Sequence, residues 1–247
     1  MFPDRIYAIG DIHGRADLLS VLLGRIEEDR EGGAVVFLGD LIDRGPDSRG
    51  VLDLVAGHMR ENADAHLVLG NHDWFLREFL FGRLSDGDRD LWVEKYGALG
   101  ALRSYGVSDP AADWRATRRH LLETRPEHAG LLSAARHSLV MGPLCFVHAG
   151  LRPDIPLAEQ SAKDLMWIKA EFLTHREPFD YLVVHGHTPT ESGLAEVYPN
   201  RIALDTHAFK SGHLTAAAFE GGRLSHILRT VDGGPSAITI ERMSAPA

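Results

Sequence analysis

The chain has 247 residues, 44% of them hydrophobic and 25% charged, with one cysteine and a formal net charge of −9. A chain of this length buries a sizeable core without disulfides, and the lone Cys145, set in the apolar run LCFV, reads as a small core residue of a reducing compartment. The acidic balance excludes sequence-independent nucleic-acid binding as an expectation; no apolar run reaches the ~18 residues of a membrane span and no signal-peptide pattern opens the chain, so a cytoplasmic protein is expected.

RIYAI (5–9) predicts a strand that runs into Gly10 and Asp11, and Leu18, Leu19, Leu22, Leu23 and Ile26 then recur on one helical face. AVVFL (34–38) predicts a second strand, followed by Pro46 at a first helical turn and by Val51, Leu52, Val55 and Met59 on one face. HLVL (66–69) predicts a third strand, ending in Gly70 and Asn71. Three strands joined by helices in this way are consecutive βαβ units of a parallel sheet. From 72 to about 135 aromatic and leucine residues return at helical intervals, which predicts a helical insertion (about 74–135) over one end of the sheet. Strand patterns resume at HSLVM (137–141), LCFVH (144–148) and YLVVH (181–185), with one helix expected over about 162–173. The tail, about 201–241, reads as short strands and turns, giving a single α/β domain over 1–247 closed by a mixed or second sheet.

Five predicted strands end in polar clusters: GDIHG (10–14), GDLIDRG (39–45), GNHD (70–73), HAG (148–150) and HGHTP (185–189). Any one of them is explained by a turn, or, for Asp11, by the cap of the next helix. Together they place metal-ligand residue types where open α/β sheets gather functional groups, outside the carboxyl ends of the strands. Asp11, His13, Asp40, Asn71, His148 and His187 can therefore converge although they are spread along the chain. Carboxylate, imidazole and one amide oxygen suit Mn, Fe or Zn better than Ca or Mg.

These motifs, with HAGL and GHTP, resemble the metallophosphoesterases, and within them the bacterial branch of the serine/threonine phosphoprotein phosphatase family, over residues 6 to about 217. The resemblance implies a calcineurin-like four-layer fold, a central mixed β-sandwich flanked by helices, around two divalent metal ions, Mn²⁺ above Fe or Zn. It implies that Asp11 and His13 hold the first ion, that Asp40 bridges both, and that Asn71, His148 and His187 hold the second. His72 would be the general acid, oriented and kept protonated by Asp43, and Arg44 would clamp phosphate oxygens as a fork. A hydroxide made acidic by two metals would attack phosphorus in line, with no phosphoenzyme.

Three positions depart from the family pattern. Asp73 stands where glutamate is usual. Lys169, in MWIK, stands where a second phosphate-binding arginine is usual, and reads either as a substrate contact or as the wet face of the 162–173 helix. LDTH (204–207) has His207 in place of glycine; Asp205 reads as structural and His207 as a filler on a strand, with reach into the site as the alternative. His185 reads as a buried neighbour of the ligands. The expected activity is a phosphomonoesterase acting on phosphoproteins, phosphopeptides or small phosphate esters. The closest alternative is a diadenosine tetraphosphate hydrolase, with adenine stacking on aromatics of the 74–105 stretch. A reading of another class, a non-catalytic metal-binding interaction module, predicts loss of ligands or acid, and all of them are present.

Overall fold

The computed structural model describes residues 2–29, 33–231 and 238–242. In chain order β1 (Arg5–Ile9), α1 (Ala16–Asp29), β2 (Ala34–Phe37), α2 (Ser48–Glu61) and β3 (Ala65–Leu67) form the two predicted βαβ units. Helices α3 (Asn71–Leu80), α4 (Asp86–Leu91), α5 (Ala98–Arg103), α6 (Trp114–Thr124) and α7 (Pro126–Ala134) follow. Then come β4 (Ser138–Met141), β5 (Leu144–Val147), α8 (Ala162–Trp167), α9 (Ala170–Leu173), β6 (Leu182–His185), β7 (Glu196–Val197), β8 (Arg201–Ala203) and α10 (Ala208–Ser211). The tail supplies β9 (Thr215–Glu220), β10 (Arg223–Thr230) and β11 (Ile238–Arg242).

Two sheets result, in the orders β11-β10-β9-β1-β2-β3 and β4-β5-β6-β8-β7. In the first, β1, β2 and β3 are parallel and β9 runs antiparallel to β1; in the second, β5, β6 and β8 are parallel. Strand side chains alternate between faces, and the two periods of β1 show the layering. Ile6 and Ala8 join Leu144, Phe146, Val184 and Ile202 of the facing sheet in an inner core, whereas Tyr7 and Ile9 pack outward against Leu19, Leu22 and Ile26 of α1. On the far side Cys145, Val147 and Val183 meet Leu165, Ile168 and Phe172. The result is the four-layer sandwich with helices outside. Cys145 lies within it, and burial pushes its thiol up to about 12.

Three expectations change. The helix expected over 162–173 is two helices, because the Leu165 carbonyl accepts the Ala149 N–H at 2.8 Å and the chain turns extended at Ile168. Pro46 stands before the first turn of α2, whose cap is Asp47 accepting the Gly50 N–H at 2.8 Å. The helical segment begins at Asn71, so GNHD is itself the first turn of α3. Among the described residues no helix is long and apolar enough to cross a membrane.

Candidate active site

Six strand ends meet at one edge of the sandwich. β1 leads to Asp11 and His13, β2 to Asp40, Asp43 and Arg44, β3 to Asn71 and His72, β5 to His148, β6 to His187, and β8 to Asp205 and His207. The turns that aim these side chains are strained. Seven non-glycine residues among those described have positive φ, and six are His13, Asp40, Asp43, Arg44, His187 and His207. Such conformations cost about 1–3 kcal/mol each and persist where the surrounding fold over-determines them, as at functional sites. Two glycines permit the closest approaches: a Cβ at Gly70 would lie 2.2 Å from the Asp40 nitrogen, and one at Gly186 1.9 Å from Asp11 Oδ1.

Two clusters of metal-capable atoms share Asp40: His13–Asp40–His72 and Asp40–His148–His187. His13 Nδ1 lies 2.8 Å from the Ile42 carbonyl and His148 Nδ1 2.9 Å from that of Leu38. Only a protonated nitrogen donates there, so in the neutral ring each Nε2 carries the lone pair, 3.5 Å from Asp40 for His13 and 3.3 Å for His148. His148 Nε2 also lies 3.1 Å, and His187 Nδ1 2.9 Å, from the amide oxygen of Asn71. Lone pairs thus face one another across a buried space, which is the arrangement that cations resolve. Asp11 belongs to neither cluster; both its oxygens accept the His187 N–H, at 3.1 and 3.0 Å.

Electrostatics agree with that fit. Burial pushes Asp11 well up, reinforced by Asp205 and Asp40; it carries Asp73 to about 7 and Asp205 to about 6, with Asp40 adding to both. Burial opposes charge on Asp40 too, yet His148, His72 and His13 hold it well below the usual carboxylate range. Burial drives His13 down to about 3, leaving a neutral imidazole. Four crowded carboxylates beside the neutral imidazoles of His13 and His187 form a donor set suited to divalent metal.

His72 is set apart from the other histidines. Its Nδ1–H donates to Asp43 Oδ2 at 2.7 Å, and Nε2 faces the cleft, 3.9 Å from Asp40. Burial lowers its pKa, but Asp40 and Asp43 outweigh burial and hold the imidazole above its ordinary value. Asp43 Oδ2 also accepts the indole N–H of Trp92 at 2.8 Å. Trp92 reaches it from a π-turn, Trp92–Tyr96, closed by the Gly97 N–H on the Trp92 carbonyl. Asp73 takes the Leu41 and Gly70 N–H groups at 2.9 and 3.2 Å and so ties the GDLIDRG and GNHD turns together.

The cleft above these groups encloses about 340 Å³. Arg44 and Lys169 line it, Lys169 from the break between α8 and α9 and not from a solvent-facing helical turn. Aromatic side chains complete the wall: Tyr96, edge-on to His72 at 4.9 Å, with Trp167 and Phe209. His207 also lines the cleft, from a left-handed turn that caps α10 and not from a strand. Of these, Trp92, Tyr96 and Phe209 carry no motif, and Trp167 lies in MWIK, where only Lys169 is singled out. Most aromatics of the 74–105 stretch, Phe75, Phe79, Trp92 and Tyr105, are core.

The calcineurin-like phosphoesterase family model matches residues 4–214. The chain belongs to that family. It is 27% identical over 237 residues to the asymmetrical bis(5'-nucleosyl)-tetraphosphatase PrpE of Anoxybacillus flavithermus, covering 85% of this chain and 89% of that protein. It is 30% identical over 217 residues to the symmetrical bis(5'-nucleosyl)-tetraphosphatase of Klebsiella pneumoniae, covering 84% and 67%. A crystal structure under the provisional name of a diadenosine tetraphosphatase superposes with a TM-score of 0.61 at 22% identity, covering 94% of this chain and 96% of that one. The family uses divalent metals, and this phosphoesterase carries the clusters suited to them.

Proposed function

We propose that this phosphoesterase hydrolyses bis(5'-nucleosyl) tetraphosphates, the alternative that the motifs placed second, and not chiefly phosphoproteins. The motifs report on cleavage of a P–O bond, which both substrates share; they carry nothing about the rest of the substrate. The supporting observation is the cleft wall: two cations, Arg44 and Lys169, beside three aromatic rings, Tyr96, Trp167 and Phe209. A tetraphosphate chain flanked by purines needs both kinds of group, and relatives named for that activity share much of the chain.

In this reading Asp11, His13 and Asp40 hold one ion and Asp40, Asn71, His148 and His187 the other, Mn²⁺ being the favoured metal. Two such ions, when bound, supply a nucleophile at neutral pH and neutralise charge on phosphorus. Arg44 and Lys169 hold the polyphosphate oxygens, the first as a bidentate fork and the second as a point charge. His72, with Nδ1–H held by Asp43, can deliver a proton from Nε2 to a poor leaving alkoxide, a step that a nucleotide leaving group does not need. Replacing Trp167 or Tyr96 by Ala is expected to lower kcat/KM for diadenosine tetraphosphate about tenfold or more, at ~1–3 kcal/mol per stacked base. Turnover of p-nitrophenyl phosphate should change little; equal losses on both would end this reading.

A second reading, a Ser/Thr phosphoprotein phosphatase, is favoured by one feature. A serine or threonine alkoxide is a poor leaving group and needs the acid that the His72–Asp43 pair provides, whereas a nucleotide phosphate leaves readily without one. Faster turnover of a phosphothreonine peptide than of the dinucleotide would decide for it.

A further inference from the structure

Beside the catalytic cleft lies a larger groove of about 550 Å³, between α3, α4 and α8. Trp167, at the end of α8, lines both spaces, so the groove continues the cleft across one residue. Its walls are mostly apolar. Phe75 and Met166, 2% and 3% exposed, make the floor. Trp74 and Trp167 are half-buried and Leu91 is 40% exposed, which leaves these three with surface for a ligand. The rings of Trp74 and Trp167 lie 5.5 Å apart at 79°, a corner that a flat ring can enter face-on to one indole and edge-on to the other. Two charged side chains complete the lining, Lys163 from α8 and Asp88 from α4. Lys163 precedes Trp167 by four residues and so shares its helix face; Lys169, two residues after it, lines the cleft. A cation therefore accompanies Trp167 in each of the two spaces, on a chain of net charge −9. Asp88 gives Oδ2 to the Ser85 hydroxyl at 2.6 Å, and among the described residues its Oδ1 accepts no hydrogen bond.

Size decides what reaches across. Pockets of ~300–1,000 Å³ hold drug-sized ligands, and a dinucleoside tetraphosphate, with two purine nucleosides and four phosphates, is larger than those. A cleft of about 340 Å³ that also receives two metal ions has room for the phosphates and at most one nucleoside, so the second lies outside it. We propose that the Trp74–Trp167 groove binds this second nucleoside, its purine against the indoles. Lys163 then meets the polyphosphate that crosses at Trp167, and Asp88 Oδ1 accepts from the amino group of the base or from a ribose hydroxyl. The inference rests on the dinucleotide reading of the cleft. The other space adjoining the cleft, at Pro189, suits a nucleoside less: Glu191 and Glu196 line it, and its Tyr198 ring already carries the Arg201 guanidinium at 3.8 Å. A second copy of the chain is a poorer occupant of the groove. Of the exposed large apolar side chains among the described residues Leu91 alone lines it, whereas a stable interface buries ~1,000 Å² or more.

The test compares steady-state constants of the Mn²⁺-loaded enzyme for diadenosine tetraphosphate and for p-nitrophenyl phosphate, which is too small to reach the groove from the metal centre. Ala162→Trp fills the groove from an exposed position in the first turn of α8 without deleting a side chain. It should raise KM for the dinucleotide tenfold or more, the loss of one stacked base. Its kcat for the dinucleotide and both constants for p-nitrophenyl phosphate should match the native enzyme, the pattern of a lost remote binding contact. Trp74→Ala should raise the dinucleotide KM by a similar factor; should it fail to fold, Leu91→Glu, which sets a second carboxylate in the groove, carries the test beside Ala162→Trp. A dinucleotide KM indifferent to Ala162→Trp, or one that rises no more than that of p-nitrophenyl phosphate, would overturn the inference and leave the dinucleotide reading standing. A native enzyme that turns over p-nitrophenyl phosphate but no dinucleotide would end that reading, and the inference with it. A KM raised by Ala162→Trp for a phosphothreonine peptide alone, or a native dimer that the variant splits with no change in the dinucleotide KM, would give the groove to another occupant and overturn the inference too.

Discussion

Replacing Asp43 by Asn removes the charge that lies 2.7 Å from His72 Nδ1 while keeping the side chain's shape. Both partners are buried, so the contact is little screened by solvent. A hydrogen bond to a charged group is worth ~1.5–3 kcal/mol, and one pKa unit corresponds to about 1.4 kcal/mol. The His72 pKa, held up in the native protein by Asp40 and Asp43 against burial, should therefore fall by about one to two units. His72 acts as an acid only while protonated, so its activity is present below its pKa and lost as pH rises through it. The falling alkaline limb of kcat against pH for an alkyl phosphate ester should move down by that amount. For diadenosine tetraphosphate, whose leaving group needs no proton, the limb should stay in place. A limb that stays fixed for the alkyl ester, or that moves equally for both substrates, would refute the acid role of His72.

Trp92→Phe should act in the opposite sense, because loss of the indole N–H leaves Asp43 Oδ2 wholly to His72; the alkaline limb moves up, and the lost bond of ~1.5–3 kcal/mol lowers Tm by roughly 3–12 °C in a chain of this size. Chelated protein should lose thermal stability as pH rises from about 4 to about 7. Folded-state pKa values of about 7 for Asp73 and about 6 for Asp205, raised above the unfolded value, give stability that is full at low pH and vanishes through those pKa values. Restoring Mn²⁺ should remove most of that slope, and a chelated protein equally stable at pH 5 and pH 8 would contradict the carboxylate crowding. Gly186→Ala forces a methyl group to within 1.9 Å of Asp11 Oδ1, so metal content measured by elemental analysis should drop by at least half in a protein that still folds.

The strands and helices that set the site were legible because each buried face repeats at its own period: 2 along β1 and β5, and i, i+4 along α1. The polar clusters were legible because each begins where an apolar run stops. What stayed hidden depends on contacts between distant segments. The break at Ile168 follows from a carbonyl of α8 bonding to the end of β5, which no local pattern records. Trp92 looked like one more core aromatic, and nothing in its spacing foretold a π-turn that delivers its N–H to Asp43. His207 and Lys169 reach the cleft through unusual backbone angles at turns, φ 60° and φ −132°, ψ −90°. The aromatic wall of the cleft was the least legible, since Tyr96, Trp167 and Phe209 come from three separate elements.

The most direct measurement strips the protein of metal, restores it with Mn²⁺, and compares kcat/KM for diadenosine tetraphosphate with that for a phosphothreonine peptide. The account predicts no turnover of either substrate without metal and at least a tenfold preference for the dinucleotide with it. Metal-independent turnover, or a preference for the peptide, would contradict it.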